Sequence, residues 1–291
     1  MADKATIDPF AHVVDSDHIT IFETLGWVIP LPNIHIAGQT FPTKFMILIT
    51  IAAVIVVFSL IWLAKKMRTG EPPTGKRWNF VEWFLFFVRD KIARAGIGDH
   101  DGDKFVPYLT TLFMFIFAMN VLGMFPFLGS PTAAITVTGA LALVSFVVIH
   151  VSGVQSNGVG GYLKTFIPHV EIEGGPAMKL MGAVIKYGMA VLEYLTAFIR
   201  AAVLAVRLFA NMLAGHTVLF MILFFIPLVS DPLYQIKIAE GKDWMFYPVA
   251  FFSMVLVTTL SLLELFIAGL QAFIFTFLTA VFIGLAKHPP H

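Results

Sequence analysis

The chain has 291 residues, 58% of them hydrophobic and 13% charged, with a formal net charge of +1 and no cysteine. The nearly neutral charge excludes no class of protein and gives no indication of a nucleic-acid-binding surface. Without cysteine the chain has no disulfides, thiolate metal sites or cysteine nucleophiles. Several uninterrupted apolar stretches are long enough to cross a bilayer. The sequence therefore predicts an all-α, polytopic membrane protein with about five crossings.

The first predicted elements are an N-terminal segment and one transmembrane helix. Residues 1–42 mix polar and apolar residues with several prolines, so we expect an irregular or interfacial segment. They contain no basic region followed by an apolar stretch, and no cleaved signal peptide is expected. Residues 43–65 form the first predicted transmembrane helix, because the apolar run from Phe45 to Leu63 carries no charge.

A basic loop follows this helix. Nine Lys and Arg residues lie from Lys65 to Lys104. By the positive-inside rule this loop, residues 66–104, is cytoplasmic and the N-terminal segment is external. Within the loop, Trp78 to Ile97 is predicted to form an amphipathic helix at the membrane interface. An odd number of crossings, most simply five, then places the C-terminus in the cytoplasm.

Residues 105–151 are predicted to form a transmembrane hairpin, with its turn at residues 128–132. Asn120 in the first helix of this hairpin either lines a polar path or forms a hydrogen bond with a neighbouring helix. Residues 152–176 are predicted to be a cytoplasmic connector. It ends at Pro176, a residue suited to the first turn of the next helix.

Residues 177–291 are predicted to form a long, steeply tilted helix hairpin and a C-terminal tail. The first helix, Ala177 to Ile226, would measure about 75 Å, whereas the hydrocarbon core of a bilayer is about 30 Å thick. Such a helix must be steeply tilted or broken. A steep tilt would hold its charged residues along the middle of the membrane, against a partner.

Five ionisable residues recur at every seventh position of this helix. Seven residues make nearly two helical turns, so the five form one slowly winding stripe, roughly 42 Å long. They are Lys179, Lys186, Glu193, Arg200 and Arg207.

Arg207 is flanked by long apolar stretches on both sides. An arginine at mid-bilayer costs about 2.5–3.5 kcal/mol on insertion scales, so an intramembrane arginine indicates a functional site with a buried partner. A snorkelling side chain near a helix end is the alternative, and it fits Lys179 and Lys186 better.

The last helix carries Glu264 and Gln271 seven residues apart, on one face. Helices joined by a short loop run antiparallel, so Glu264 should lie near His216 if Gln271 lies beside Arg207. The helix rise from Arg207 to His216 is about 13.5 Å, and from Gln271 back to Glu264 it is about 10.5 Å. Nine residues also turn the helix by about 180°, which places His216 on the face opposite Arg207.

A buried histidine beside a buried glutamate is suited to a proton relay, because both side chains bind and release protons. A structural pair locked by a hydrogen bond is the alternative. Glu193, four turns from Arg207 on the same stripe, could open a second polar route towards the cytoplasm. The fixed charge of Arg207 between the two routes would repel hydronium, so protons would need a mobile carboxylate to pass it.

Three stretches of this sequence together resemble the subunit a family of the rotary F-type ATP synthases. They are Arg207-Leu-Phe-Ala-Asn211-Met-Leu-Ala-Gly-His216, the preceding Leu192-Glu193, and Leu270-Gln271-Ala-Phe-Ile-Phe-Thr-Phe-Leu-Thr. Met119-Asn120-Val-Leu-Gly-Met-Phe-Pro126 and Ser130-Pro-Thr-Ala in the hairpin agree with that family, and the resemblance covers about residues 104–288. Thr136 and Ala201 depart from the family pattern. These departures affect the expected local shape of the helices and not the role of the arginine.

The resemblance implies a role for each of these residues. Arg207 would be the essential stator arginine that faces a ring of c subunits, with Asn211 and Gln271 near it. His216 and Glu264 would form the outer half-channel pair, and Glu193 would be the acid of the inner half-channel.

The resemblance also implies the setting of the chain. It would be a non-catalytic, multi-pass subunit in a bacterial inner membrane, with no catalytic residue, nucleotide site, cofactor or metal of its own. Its partners would be the c ring, the peripheral-stalk b subunits, the rest of the complex and membrane lipid, and no nucleic acid. An autonomous ion channel or secondary transporter, and a sodium-coupled version of the same complex, are the alternatives.

Overall fold

The computed structural model describes nine stretches of the chain, namely residues 18–22, 27–30, 34–36, 39–41, 43–67, 75–124, 129–165, 176–230 and 246–288. Five helices in these stretches are long and apolar enough to cross a membrane. The predicted helical, multi-pass membrane fold is therefore confirmed.

Seven α-helices make up most of the described chain. In order they are α1 (Lys44–Met67), α2 (Lys76–Phe86), α3 (Ala95–Ile97), α4 (Asp99–Gly123), α5 (Ile135–Thr165), α6 (Pro176–Ser230) and α7 (Phe246–Lys287). A π-helical segment, Phe87–Arg94, joins α2 to α3, and a 3₁₀ turn, Pro131–Ala133, precedes α5.

Four short strands near the N-terminus were not expected from the sequence. Strand β1 (His18–Phe22) pairs antiparallel with β2 (Trp27–Pro30), and β3 (Ile34–Ile36) pairs antiparallel with β4 (Gln39–Phe41). The strands are rich in isoleucine, threonine, valine and aromatic residues, which favour extended backbone. The other residues of the predicted segment 1–42 lie outside the described stretches.

Helix α6 is one continuous helix of 55 residues, and α7 has 42. At about 1.5 Å per residue α6 is about 82 Å long, far more than the roughly 30 Å of a hydrocarbon core. Of the two alternatives for this segment, a broken helix or a tilted one, its continuity favours the tilted helix.

Helix α5 continues to Thr165, into the segment predicted to be a connector at residues 152–176. The helix is interrupted at Gly158, whose φ of 71° and ψ of 161° are non-helical. Next to this interruption the Asn157 amide donates to the backbone oxygens of Ala286, at 3.1 Å, and Lys287, at 3.3 Å. These bonds satisfy two carbonyls at the end of α7 that the helix itself leaves without partners.

The chain divides into two compact units. Unit 1 comprises Met1–Trp62, Phe115–Ile135 and Leu208–Gln271, and unit 2 comprises Leu63–Met114, Thr136–Arg207 and Ala272–His291. In unit 1, Ala133, Met212 and Ala268 form a small buried apolar cluster. The Asn120 amide donates to the backbone oxygen of Ala268 at 3.4 Å, so the predicted neighbour-helix contact of this buried asparagine is present.

Unit 2 has the larger apolar core. Val88 and Ile92 of the π-helical segment are fully buried in it together with Leu109 of α4 and Ala280 and Ile283 of α7. At Gly96 an added Cβ would lie 2.8 Å from the Cβ of Ala280, so α3 and α7 pack too closely for any other residue there. Glycine therefore permits this helix contact.

Ion pairs join the N-terminal part of α4 to its neighbours in unit 2. The carboxylate of Asp103 accepts from Nε of Arg89 and Nε of Arg94, each at 3.0 Å. Asp101 lies 2.9 Å from Nζ of Lys287 at the end of α7. Asp101, in the first turn of α4, also suits a helix N-terminus, where the helix dipole favours negative charge.

Candidate functional site

His216 of α6 and Glu264 of α7 meet in the interior of unit 1. His216 Nε2 lies 3.8 Å from Glu264 Oε1, and the two residues are only 3% and 5% exposed. This distance is too long for a hydrogen bond. Nε2 of His216 and both carboxylate oxygens of Glu264 have no hydrogen-bond partner among the described residues. The pair is therefore close and buried, and its polar atoms are available to water or to a proton.

Gly215 brings α6 close to this carboxylate. An added Cβ at Gly215 would lie 2.8 Å from Glu264 Oε1 and 3.2 Å from Glu264 Cδ. Cβ contacts shorter than 3.0 Å are essentially never seen, so the carboxylate of Glu264 can occupy this position only because residue 215 is a glycine and has no Cβ. Gly215 leaves room for Glu264 beside His216.

A second polar contact joins the same two helices in unit 1. The Asn211 amide donates to Gln271 Oε1 at 2.9 Å. Gln271 is 2% exposed, whereas Asn211 is exposed. Nε2 of Gln271 has no hydrogen-bond partner in the described part of the chain, so neither of its two N–H donors is used there.

The two contacts fix the direction of the helices in unit 1. From Asn211 to His216 the residue numbers rise along α6, while their partners fall from Gln271 to Glu264 along α7. The helices therefore run antiparallel, and the predicted proximity of His216 and Glu264 is confirmed. The Asn211–Gln271 hydrogen bond was not predicted, although both residues were assigned to the neighbourhood of Arg207.

The other candidate residues, Arg207 and Glu193, belong to unit 2. Arg207 is half-buried, and Glu193 is exposed on α6. Glu193 lines a cavity together with Arg200, whose guanidinium carbon lies 5.5 Å above the centre of the Phe282 ring. A cation over an aromatic face is stabilised there.

Sequence reasoning passed over His150, a further residue that lines this cavity. It lies in an apolar stretch of α5. Because ionisable residues are rare in membrane-spanning helices, a histidine at such a position is itself a signal of function. Within the described stretches, no group of three or more His, Asp or Glu side chains is placed to hold a metal ion.

Comparison with known proteins identifies the family. The family model for the ATP synthase A chain matches residues 46–284. This chain belongs to the ATP synthase A chain family. Membership of this family carries with it a role in ATP synthesis and proton transport, and the five long apolar helices agree with a multi-pass bacterial membrane protein.

Three bacterial relatives of the family, each called ATP synthase subunit a, illustrate the similarity. The protein of Myxococcus xanthus is 34% identical over 95% of this chain and 88% of its own length. That of Chloroherpeton thalassium is 33% identical over 99% of this chain and 79% of its own length. That of Anaeromyxobacter dehalogenans is 37% identical over 84% of this chain and 57% of its own length.

Proposed function

We propose that this chain is the ion-translocating stator subunit of a rotary F-type ATP synthase. His216 and Glu264 line an outer half-channel, and Glu193 lies on an inner half-channel. Arg207 separates the two paths and faces the carboxylates of a c ring. Nucleotide chemistry takes place in other subunits, and peripheral-stalk b subunits hold this chain against rotation.

The observation that carries this proposal is the His216–Glu264 pair. Two proton-binding side chains that lie 3.8 Å apart, are almost fully buried and have free polar atoms are poorly explained as a structural pair. A structural pair gains its stability from a hydrogen bond, and buried polar atoms without one are destabilising by roughly 1–3 kcal/mol. Such atoms suit a proton path made of water and titratable groups, because each group on such a path must accept and release protons.

The exposed face of α6 supports the c ring as a partner. The apolar stretch of α6, Val184–Leu219, buries a much smaller share of its residues inside the protein than the apolar stretch of α7 does. Exposed on this helix are not only apolar residues but also Glu193 and Arg200. Because charged groups facing lipid are costly, a protein partner suits this face better than lipid does.

The role of Arg207 follows from its charge. A guanidinium stays protonated under all physiological conditions, so it cannot itself carry the proton. It attracts a carboxylate that comes near it and favours the ionised form, so a proton on that carboxylate leaves before the carboxylate passes. The same charge repels hydronium and prevents direct leakage between the two paths.

The proposed orientation places the N-terminal segment outside and the C-terminus in the cytoplasm. It rests on the basic residues after α1 and on an odd number of crossings. The proposed organisation follows from it: an external segment (1–42), a first transmembrane helix (43–65), a cytoplasmic loop (66–104), a transmembrane hairpin (105–151), a cytoplasmic connector (152–176), and the tilted hairpin with its tail (177–291).

An exchange of the two residues tests the outer half-channel. His216→Glu combined with Glu264→His keeps one acid and one imidazole in the same place. Each single change instead leaves two acids or two imidazoles that resist being charged together. ATP-driven proton pumping in membrane vesicles, compared as a double-mutant cycle, should be faster in the double variant than in either single variant. Strictly additive losses would mean that the two residues do not act together.

The rival functions are an autonomous channel or secondary transporter and a sodium-coupled complex. The purified chain alone should not transport ions in vesicles, whereas the intact complex with its ring of small hairpin subunits should. Ion transport by the chain alone would support the rival. ATP synthesis that requires sodium would assign the coupling ion to sodium, and the stator role would be unchanged.

A further inference from the structure

A cavity of about 90 Å³ opens in unit 2 among α5, α6 and α7. It is lined by apolar side chains and by a few polar ones from two of these helices. The polar and titratable lining groups are Ser145, His150, Tyr162, Thr165, Glu193 and Arg200. Only Glu193 among them has a role in the proposed function, so the cavity offers further groups to the same path.

His150 is held by one ring nitrogen and free at the other. Its Nδ1 lies 2.8 Å from the backbone oxygen of Phe146, one turn earlier in α5. A carbonyl oxygen only accepts hydrogen bonds, so this contact requires the proton on Nδ1. In the neutral ring Nε2 is then the acceptor, and it is buried with no hydrogen-bond partner among the described residues. His150 can take up a proton at Nε2 and release it again without losing its anchor.

Aromatic rings hold the imidazole of His150 in place. The Phe146 ring centre lies 3.9 Å away, and the rings of Tyr162 and Tyr194 stand nearly perpendicular at 5.9 and 6.5 Å. This packing leaves the ring little freedom to turn away from the cavity.

The titratable and charged groups around His150 come from α5 and α6. Tyr162 belongs to α5, and α6 contributes Glu193, Tyr194 and Arg200. The residues of α7 that line the cavity are Phe282, Leu285 and Ala286, which do not titrate. From α4, the Tyr108 hydroxyl lies 3.5 Å from the hydroxyl of Ser145. Glu193 is therefore the carboxylate that shares the cavity with His150.

We propose that His150 is a proton-relay residue of the inner half-channel, which passes protons between the cytoplasm and Glu193 through its Nε2. This inference rests on the proposed function and adds a second titratable group to its inner path. A proton from cytoplasmic water binds at Nε2, and it leaves for water in the cavity and then for the Glu193 carboxylate. The imidazole returns to its neutral form at each transfer, and nothing is oxidised or reduced.

The test replaces His150 with glutamine in the complete complex, in vesicles whose ATP-hydrolysing side faces outwards. Glutamine keeps hydrogen-bonding groups but does not bind a proton near neutral pH. The initial rate of ATP-driven proton uptake is measured while the external pH is varied from 5.5 to 8.5. An imidazole can pass protons on, whereas a glutamine amide cannot. We therefore expect the dependence of the rate on external pH to differ between His150→Gln and the wild type, and the rate to be at least threefold lower in the variant.

Three comparisons make the outcome decisive. His100→Gln makes the same change at an exposed histidine in the first turn of α4, and it should leave the profile unchanged. His150→Ala should regain pumping when imidazole is added outside. A profile of His150→Gln that equals the wild type, or a slower rate with an unchanged profile, would overturn the relay role. Normal pumping by Arg207→Ala would instead overturn the proposed function itself.

Discussion

The substitution Gly215→Ala adds one methyl group to α6. Its effect on the proposed His216–Glu264 relay follows from the geometry of unit 1. The added Cβ would lie 2.8 Å from Glu264 Oε1, while ordinary contacts begin at 3.4 Å. The carboxylate must therefore retreat by at least 3.4 − 2.8 = 0.6 Å. The group that has to move is the end of a flexible side chain, so the fold should accommodate the change.

The expected result is a loss of function with little loss of stability. Alanine is about 1 kcal/mol more favourable than glycine inside a helix, which helps to keep α6 intact. For positioned reacting groups, a misplacement of about 1 Å costs roughly 100-fold in rate, so the shift here should slow proton pumping by roughly threefold to thirtyfold. Initial rates of ATP-driven proton pumping, normalised to the amount of assembled complex, measure this loss.

Gly269→Ala is the matched control. An added Cβ at Gly269 of α7 would make one ordinary contact, at 3.8 Å from the Phe117 ring, so pumping should stay within twofold of the wild type. Adding Glu264→Asp to Gly215→Ala shortens the crowded side chain by one methylene group, and the double variant should recover part of the rate. Equal rates for Gly215→Ala and the wild type, or equal losses for both glycine variants, would refute the steric reasoning.

Two further changes test the charge of the stator and the orientation of the chain. Arg207→Lys should lose most ATP synthesis, because lysine keeps the charge but lacks the planar fork and is more easily deprotonated when buried; synthesis near the wild-type rate would contradict this. A cysteine introduced near position 10 should react with a membrane-impermeant thiol reagent only from the outer side. Labelling from the cytoplasmic side would reverse the proposed orientation.

The number of the long helices, and the length of the first and of the last two, could be predicted from the sequence. Phe45 to Leu63 is an uncharged apolar run, and the apolar stretch after Pro176 continues for more than forty residues. Apolar runs of this kind specify spanning helices whatever their neighbours are, because in lipid the backbone must satisfy its own hydrogen bonds. The contact between His216 and Glu264 could also be predicted, from helix rise, an antiparallel hairpin and the assumption that Gln271 lies beside Arg207.

Features that depend on tertiary contacts could not be read from the sequence. Residues 152–165 contain several polar residues and glycines, so hydropathy placed the end of the apolar span before them. In the structure, Asn157 donates to the end of α7, and α5 resumes after the interruption at Gly158 and extends to Thr165. The π-helical segment Phe87–Arg94 packs into the core of unit 2 and has no local signal of its own.

The overlooked residue was His150, because a single histidine in an apolar helix has many structural explanations. Its interest comes from features that spacing does not reveal: a shared cavity with Glu193, a carbonyl on Nδ1 and a free Nε2. By contrast, the hairpins at residues 18–41 carry a local signal, since isoleucine, valine and threonine recur in them. The prolines of this segment favoured the irregular interpretation.

The measurement that tests the central claim most directly is proton-driven ATP synthesis by the complex that carries Arg207→Ala. If Arg207 draws the proton from a passing carboxylate and separates the two half-channels, synthesis should fall below detection although the complex still assembles and its soluble subunits still bind nucleotide. ATP-driven pumping should be lost together with synthesis. Synthesis at a rate comparable to that of the wild type, in an assembled complex, would contradict the role of Arg207 and the two-path mechanism with it.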